Sequence, residues 1–192
     1  EDYGIYSLVG GVVIMFSFLN VSMSSATSRF LAYSIGKDEQ QHLDEVFSNA
    51  YAAHLIIAAI VFVLLETVGL WLFHSKLVID DERMHAAEIV YQLSVLSTLI
   101  GFTQVPYNAS IIAHEKFNIY AYVELLNVTL KLVIVYLLSI YGGDKLVLYS
   151  VMIFLVSLIV MVVYRAYSWK HFKECRMQPS VKKDILRPMV TY

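Results

Sequence analysis

The chain has 192 residues, of which 58% are hydrophobic and only 16% charged, against roughly 25% charged in an ordinary soluble domain. Mean hydropathy is +0.64, net charge is −2, and residues 3–28, 89–113 and 146–164 contain no Asp, Glu, Lys or Arg. Runs of about 20 apolar residues suffice to cross a bilayer as helix, so an ordinary soluble enzyme, a nucleic-acid binder and a disordered chain are excluded.

Five spans are predicted in chain order. The first runs from about Tyr3 to Tyr33, apolar in its first half and rich in Ser, Thr and Asn in its second, with Arg29 near its end and Gly36 as the helix stop. Residues 37–49 form a polar insertion suited to a surface turn and a helical turn or two. The second span covers about Ala50–Phe73, with His54 near its start and Glu66 inside; residues 74–85 connect it onward through three consecutive acids, Asp80–Asp81–Glu82, which read as a solvated loop in preference to a metal site. The third span, about Ala86–Ala113, contains Pro106, which removes one backbone hydrogen bond and marks a possible hinge. A sharp turn at His114–Asn118 leads to the fourth span, Ile119–Tyr141, and the tight turn Gly142–Gly143–Asp144 to the fifth, Leu146–Tyr164. The expected fold is an all-α polytopic transmembrane bundle over residues 1–176, with 177–192 as a cytoplasmic tail or linker. The start at Glu1, with no signal peptide before the first span, reads as a piece of a larger polytopic protein. Cys175, the single cysteine, forbids an intrachain disulfide.

Basic residues set the expected direction. With five spans, Arg29, Lys37, Lys116 and seven tail residues fall on one side, ten in all. Lys76, Arg83 and Lys145 fall on the other, and Lys131 lies within a span, completing the fourteen. The tail is therefore expected in the cytoplasm and Glu1 outside.

An ionisable group at membrane depth costs several kcal/mol unless paired or wet, so each is a functional candidate. Tyr120, Glu124, Asn127 and Lys131 stand at i, i+4, i+7 and i+11, within roughly 60° of arc on one face of the fourth span, opposite a face of Leu, Val and Ile. Two readings stand: a cavity lining that meets a charged substrate or couples to an ion, or a buried Glu124–Lys131 link, through Asn127, that ties helices together. Ser94, Ser97, Gly101, Gln104 and Asn108 make a similar stripe on the third span, suited to close helix packing. Arg29 reads either as a snorkelling anchor or as a phosphate contact, its guanidinium fork supplemented by neighbouring hydroxyls. Glu66 reads as structural and His54 as interfacial. No Walker A loop, GxSxG, HExxH or CxxC pair is present, and neither catalysis, a cofactor nor a metal is expected.

Four stretches carry a family resemblance: DYGIYSLVGG (Asp2–Gly11), FLNVSMSSATSRFLAYSIGKD (Phe18–Asp38), VPYNASIIAHEKFNIYAYV (Val105–Val123) and YRAYSWKHFKECR (Tyr164–Arg176). Together they resemble the bacterial polysaccharide and O-antigen flippases of the multidrug/oligosaccharidyl-lipid/polysaccharide superfamily. The resemblance implies twelve to fourteen helices in two pseudo-symmetric bundles, of which this chain is helices two to six, the remaining partner being the C-terminal half of the same protein. It implies transport of an undecaprenyl-pyrophosphate-linked oligosaccharide between leaflets of the bacterial inner membrane, with membrane lipid as the surrounding partner. Arg29 and Lys131 fit the pyrophosphate chemically, and Glu124 fits ion coupling. A cation-coupled drug antiporter of the same fold, which prefers acidic cavity residues without Arg29 or Lys131, is the alternative within transport. A polymerase or ligase acting on lipid-linked sugars is the alternative enzyme class, against which the short 74–85 loop counts; a pure scaffold would have no need of Glu124 and Lys131 in a span.

Overall fold

The computed structural model describes residues 17–76 and 81–176 together with Gly11 and Ile79, and all regular structure among them is helical. Helix α1 is Ser17–Gly36, α2 is Gln40–Leu64, a π-helical turn follows at Leu65–Gly69, and α3 is Leu70–Lys76. Then come α4 (Asp81–Ala113), α5 (Phe117–Ile140), α6 (Lys145–His171) and a closing 3₁₀ turn at Glu174–Arg176. Four stretches are long and apolar enough to cross a membrane: Gln40–Ser75, Glu82–Ala113, Phe117–Ile140 and Lys145–His171. They correspond to the second to fifth expected spans, and they mark the chain as a helical membrane protein. Residues 3–10 and 12–16 of the first expected span, and the tail 177–192, lie outside the described residues. The described part of that span, α1, is too rich in Ser, Thr and Asn to count as a crossing by itself.

The outward faces agree with a lipid setting. Leu125, Leu132, Val135 and Tyr136 on α5 are each more than 60% exposed, as Ile56, Ile60 and Val63 on α2 are exposed near half. An apolar belt of this extent has no place on a water-soluble monomer. The inward faces form two buried clusters, one toward each end of the bundle. Leu65, Phe73, Val90, Tyr91, Val95, Phe102 and Leu146 fill the end that holds the α5–α6 turn. Leu31, Phe47, Ala109, Ile111, Val123, Val160, Tyr164 and Phe172 fill the end that holds the closing 3₁₀ turn. Helix α4 is the centre, packed by α1, α2 and α6, while α5 lies at the periphery and leans mainly on α6.

Several element boundaries differ from the sequence reading, each for a local reason. The chain turns after α1 on a left-handed Asp38 (φ 56°), two residues past Gly36, and the polar stretch from Gln40 onward simply begins α2. Asp tolerates that region better than most residues with a Cβ. Glu115 (φ 57°) makes the corresponding turn between α4 and α5. Asp144 caps α6, its carboxylate accepting from the N–H groups of Leu146 (3.0 Å) and Val147 (3.3 Å), as a first-turn acid should. Helix α6 then runs seven residues past the expected end at Tyr164, which places Arg165 and Lys170 inside a helix instead of in a tail. Helix α4 passes through Pro106 without a break.

The π turn has an identifiable cause. The Tyr91 hydroxyl, on α4, donates to the Leu65 carbonyl at 2.6 Å, and Leu70 N–H reaches back to the same oxygen in the i→i−5 pattern. Gly69 makes room: a Cβ there would overlap the Tyr91 hydroxyl. Tyr91 is fully buried and has nowhere to retreat. We therefore predict that Gly69→Ala lowers stability by about 1–3 kcal/mol, an overpacking cost, whereas Gly36→Ala, with open space around it, is tolerated. Thermal unfolding in detergent measures both, and adding Tyr91→Phe to Gly69→Ala recovers part of the loss.

Candidate functional site

The expected polar face of α5 is brought against α6. Glu124 Oε1 accepts from the Tyr164 hydroxyl at 3.3 Å, and Glu124 Oε2 faces Asn127 Nδ2 at 3.5 Å. Tyr120, Glu124 and Asn127 are all half-buried, and the buried residues of α5, Val123 and Ile134, lie on the same side. Among the described residues, the hydrogen-bond partners of this carboxyl, well inside a crossing helix, are neutral. Lys131 does not join it: its side chain is exposed, and no ion pair links it to Glu124 among the described residues. Of the buried Glu124–Asn127–Lys131 link, the Glu124–Asn127 part is present at 3.5 Å and the Lys131 part is not found among the described residues.

The α4 stripe is half-buried throughout. Ser94 and Ser97 donate to the carbonyls of Val90 and Leu93, four residues back, which satisfies them within their own helix. Gln104 lies one turn nearer the 3₁₀ end than Gly101, and the Asn108 Oδ1 atom is buried with no hydrogen-bond partner among the described residues. Arg29 is exposed on α1, and two of the hydroxyls near it are engaged within their own helix: Ser28 donates to Ser24 O and Ser34 to Phe30 O. No hydrogen bond or ion pair joins Arg29, Lys131 and Glu124 to one another among the described residues. Glu66, on the π turn, accepts from Gln92 Nε2 at 3.4 Å, and His54 is buried with its Nδ1 at 2.7 Å from Ala50 O.

Two groupings were not foreseen. In the first, Glu174 is only 2% exposed, and its Oε1 accepts from His114 Nε2 at 2.7 Å and from Ser110 Oγ at 2.9 Å. Phe172 stacks flat on the His114 ring at 4.2 Å, and the Cys175 thiol donates to Ser110 Oγ at 3.6 Å. The end of α6 is thereby bound to the end of α4. Burial alone would push the Glu174 carboxyl up; the bonds from His114, the backbone and Ser110, with the His114 charge, outweigh it and hold the carboxyl below its ordinary 4.5. Burial pushes the Cys175 thiol up to about 12. The second grouping is Arg165, whose guanidinium lies 5.4 Å from the Tyr107 ring and whose Nη2 reaches the Tyr51 hydroxyl at 3.5 Å. Its place as the one acid among the bases of residues 165–176 was the available signal for Glu174. Nothing in the spacing announced the Arg165 grouping, because it joins three helices.

No metal-binding group of three or more His, Cys, Asp or Glu occurs among the described residues. The chain matches no protein-family model, no curated protein and no solved structure.

The buried thiol yields a direct expectation. With Cys175 as the single cysteine, maleimide at pH 8 leaves the folded protein in detergent unlabelled and labels it once denatured; Ser110→Ala and Phe172→Ala accelerate labelling of the folded form. Glu174 yields a second. Its folded carboxyl titrates below the unfolded one, so its contribution is complete above about 4.5 and fades as pH falls through the folded value. Glu174→Gln is expected to cost about 1–2 kcal/mol near neutral pH, and the difference from the parent, read as thermal unfolding against pH, shrinks below 4.5.

Proposed function

We propose that this chain forms part of a transporter that moves undecaprenyl-pyrophosphate-linked oligosaccharide across the bacterial inner membrane by alternating access. The observation that carries the reading is Glu124, an acid at membrane depth whose contacts, Tyr164 and Asn127, are neutral. A charge kept there without a counterion serves an ion or a charged substrate better than it serves packing, since a hydrophobic residue would pack at no desolvation cost. The choice of substrate rests on the sequence resemblance. In this reading the end that holds Glu174 and Arg165 faces the cytoplasm, as the ten basic residues on that side favour. Glu124 couples an ion, with Tyr120 and Asn127 beside it. Arg29 and Lys131, exposed and cationic, meet the pyrophosphate when the bundle is in its transporting arrangement, and Gln104 and Asn108 add neutral contacts on α4.

The test is genetic. The gene encoding the protein, carrying Glu124→Gln, Arg29→Ala or Lys131→Ala, is expressed in a strain that lacks its own exporter, and surface polysaccharide is measured at matched protein level. Glu124→Gln is expected to lower export about tenfold or more, the scale of a lost functional charge in a membrane, with smaller losses for the two cationic positions. Full export by all three variants overturns the assignment. Loss of a sugar-joining reaction with translocation intact would instead favour an enzyme.

A further inference from the structure

Buried polar side-chain atoms without a partner are rare in folded proteins, and each calls for an explanation. Six occur among the described residues: Ser48 Oγ, His54 Nε2, Glu66 Oε1, Asn108 Oδ1, Arg165 Nε and Ser168 Oγ. Five of the six belong to Arg165 itself or to residues within three positions of Tyr51, Tyr107 or Arg165 along the chain. Ser48 and His54 are each three residues from Tyr51 on α2, Asn108 adjoins Tyr107 on α4, and Ser168 is three residues from Arg165 on α6. Tyr51, Tyr107 and Arg165 are the residues already seen in contact. Tyr51 and Tyr107 meet edge to face at 5.8 Å, Phe47 packs on both, and the Arg165 guanidinium lies over Tyr107. His54, Ser48 and Ser168 are all at least 98% buried.

Arg165 has no acidic partner among the described residues. Of its five N–H donors, one reaches the Tyr51 hydroxyl at a long 3.5 Å, and the buried Nε–H reaches nothing. A half-buried guanidinium in this state is an uncompensated cation, and buried charges are ordinarily paired. Arg165 also stands six residues, about 9 Å of helix, from the end of α6. That depth is within reach of the headgroup layer for a side chain of its length.

We propose that Arg165, Tyr51 and Tyr107 form a binding site for the phosphate group of a membrane lipid, at the end of the bundle that holds Glu174. The planar fork of Arg165 matches phosphate oxygens, the Tyr51 hydroxyl supplies a further donor, and the Tyr107 ring holds the guanidinium in place. The inference rests on the membrane-crossing helices and not on the substrate proposed above. Two lipids carry the required chemistry: a bilayer phospholipid and a pyrophosphate-linked polyprenyl carrier.

The complete protein, purified in detergent, is titrated with phosphatidylglycerol, with undecaprenyl pyrophosphate, and with dioleoylglycerol, which lacks phosphate, and the shift in thermal unfolding gives the apparent affinity. Both phosphate lipids are expected to stabilise the parent and dioleoylglycerol to do nothing. Arg165→Gln is expected to weaken the response about tenfold or more, the worth of one charge-assisted contact, and Arg165→Lys less. If Arg165→Gln unfolds, Tyr51→Phe, which keeps the cation and the ring, carries the same test with a smaller loss. An equal response to dioleoylglycerol, or an unchanged response in Arg165→Gln, overturns the site. A stronger response to undecaprenyl pyrophosphate than to phosphatidylglycerol assigns the site to the carrier lipid; the reverse assigns it to the bilayer. Either result stands whether or not the export assay succeeds, so the two proposals fail separately.

Discussion

In the core of a bilayer a hydroxyl, amide or carboxyl has no water to turn to, and each must find its partner among the helices themselves. Most of the small polar residues here solve this locally. Ser28, Ser34, Thr67, Ser94, Thr98, Thr129 and Ser157 donate to the carbonyl four residues back in their own helix. Such residues carry little information about neighbours, because the bond is available on any helix face. The informative groups are those that cannot close on their own helix. Tyr91 crosses to the Leu65 carbonyl and opens a π turn, Glu124 crosses to Tyr164, and Glu174 crosses to Ser110 and His114. The tertiary structure is largely the set of answers to those few groups.

The crossings also distribute stiffness. Helices α4 and α6 are joined at both ends. Arg83 Nη1, near the start of α4, donates to Asp144 Oδ2 at 2.8 Å, just before α6, and at the other end Glu174 ties the segment after α6 to Ser110 and His114. Sliding one helix along the other breaks both ties and disturbs the close packing between them. Among the described residues helix α5 shows no such double fastening and rests on α6 through Val123, Ile134 and the Glu124–Tyr164 bond. The α4–α6 pair is thus the stiff member of the bundle, and α5 is the helix whose displacement would cost least.

The architecture was readable because membrane helices declare themselves by length and lack of charge; the last four spans were found where hydropathy put them, although α2 begins ten residues before the expected start and α6 ends seven residues after the expected end. The boundaries that moved did so through polar detail: Asp38 in place of Gly36 at a turn, and the extension of α6 over Arg-Ala-Tyr-Ser-Trp-Lys-His, a segment read as tail because it is charged. The site was legible only within one helix. Periodicity put Tyr120, Glu124 and Asn127 on a common face, and that face does meet α6. The same periodicity put Lys131 there too, but an i, i+7 separation from Glu124 is nearly two turns, and the lysine stem carries its charge outward. Contacts among α2, α4 and α6, such as Arg165 with Tyr51 and Tyr107, depend on crossing geometry that no local pattern encodes.

Tyr164 and Arg165 are consecutive, and their divergence organises the chemistry of the bundle. Successive side chains on a helix point about 100° apart while rising only about 1.5 Å. Tyr164 therefore turns to α5 and meets the carboxylate of Glu124, and Arg165 turns to α2 and α4 and meets Tyr51 and Tyr107. An acid on α5 and a guanidinium on α6 are consequently met at similar depth by contacts on different faces of α6. Keeping them apart leaves an acid facing neutral groups in one seam and a guanidinium facing rings and a hydroxyl in another. Those are the conditions under which each charge remains available to something that is not part of the bundle.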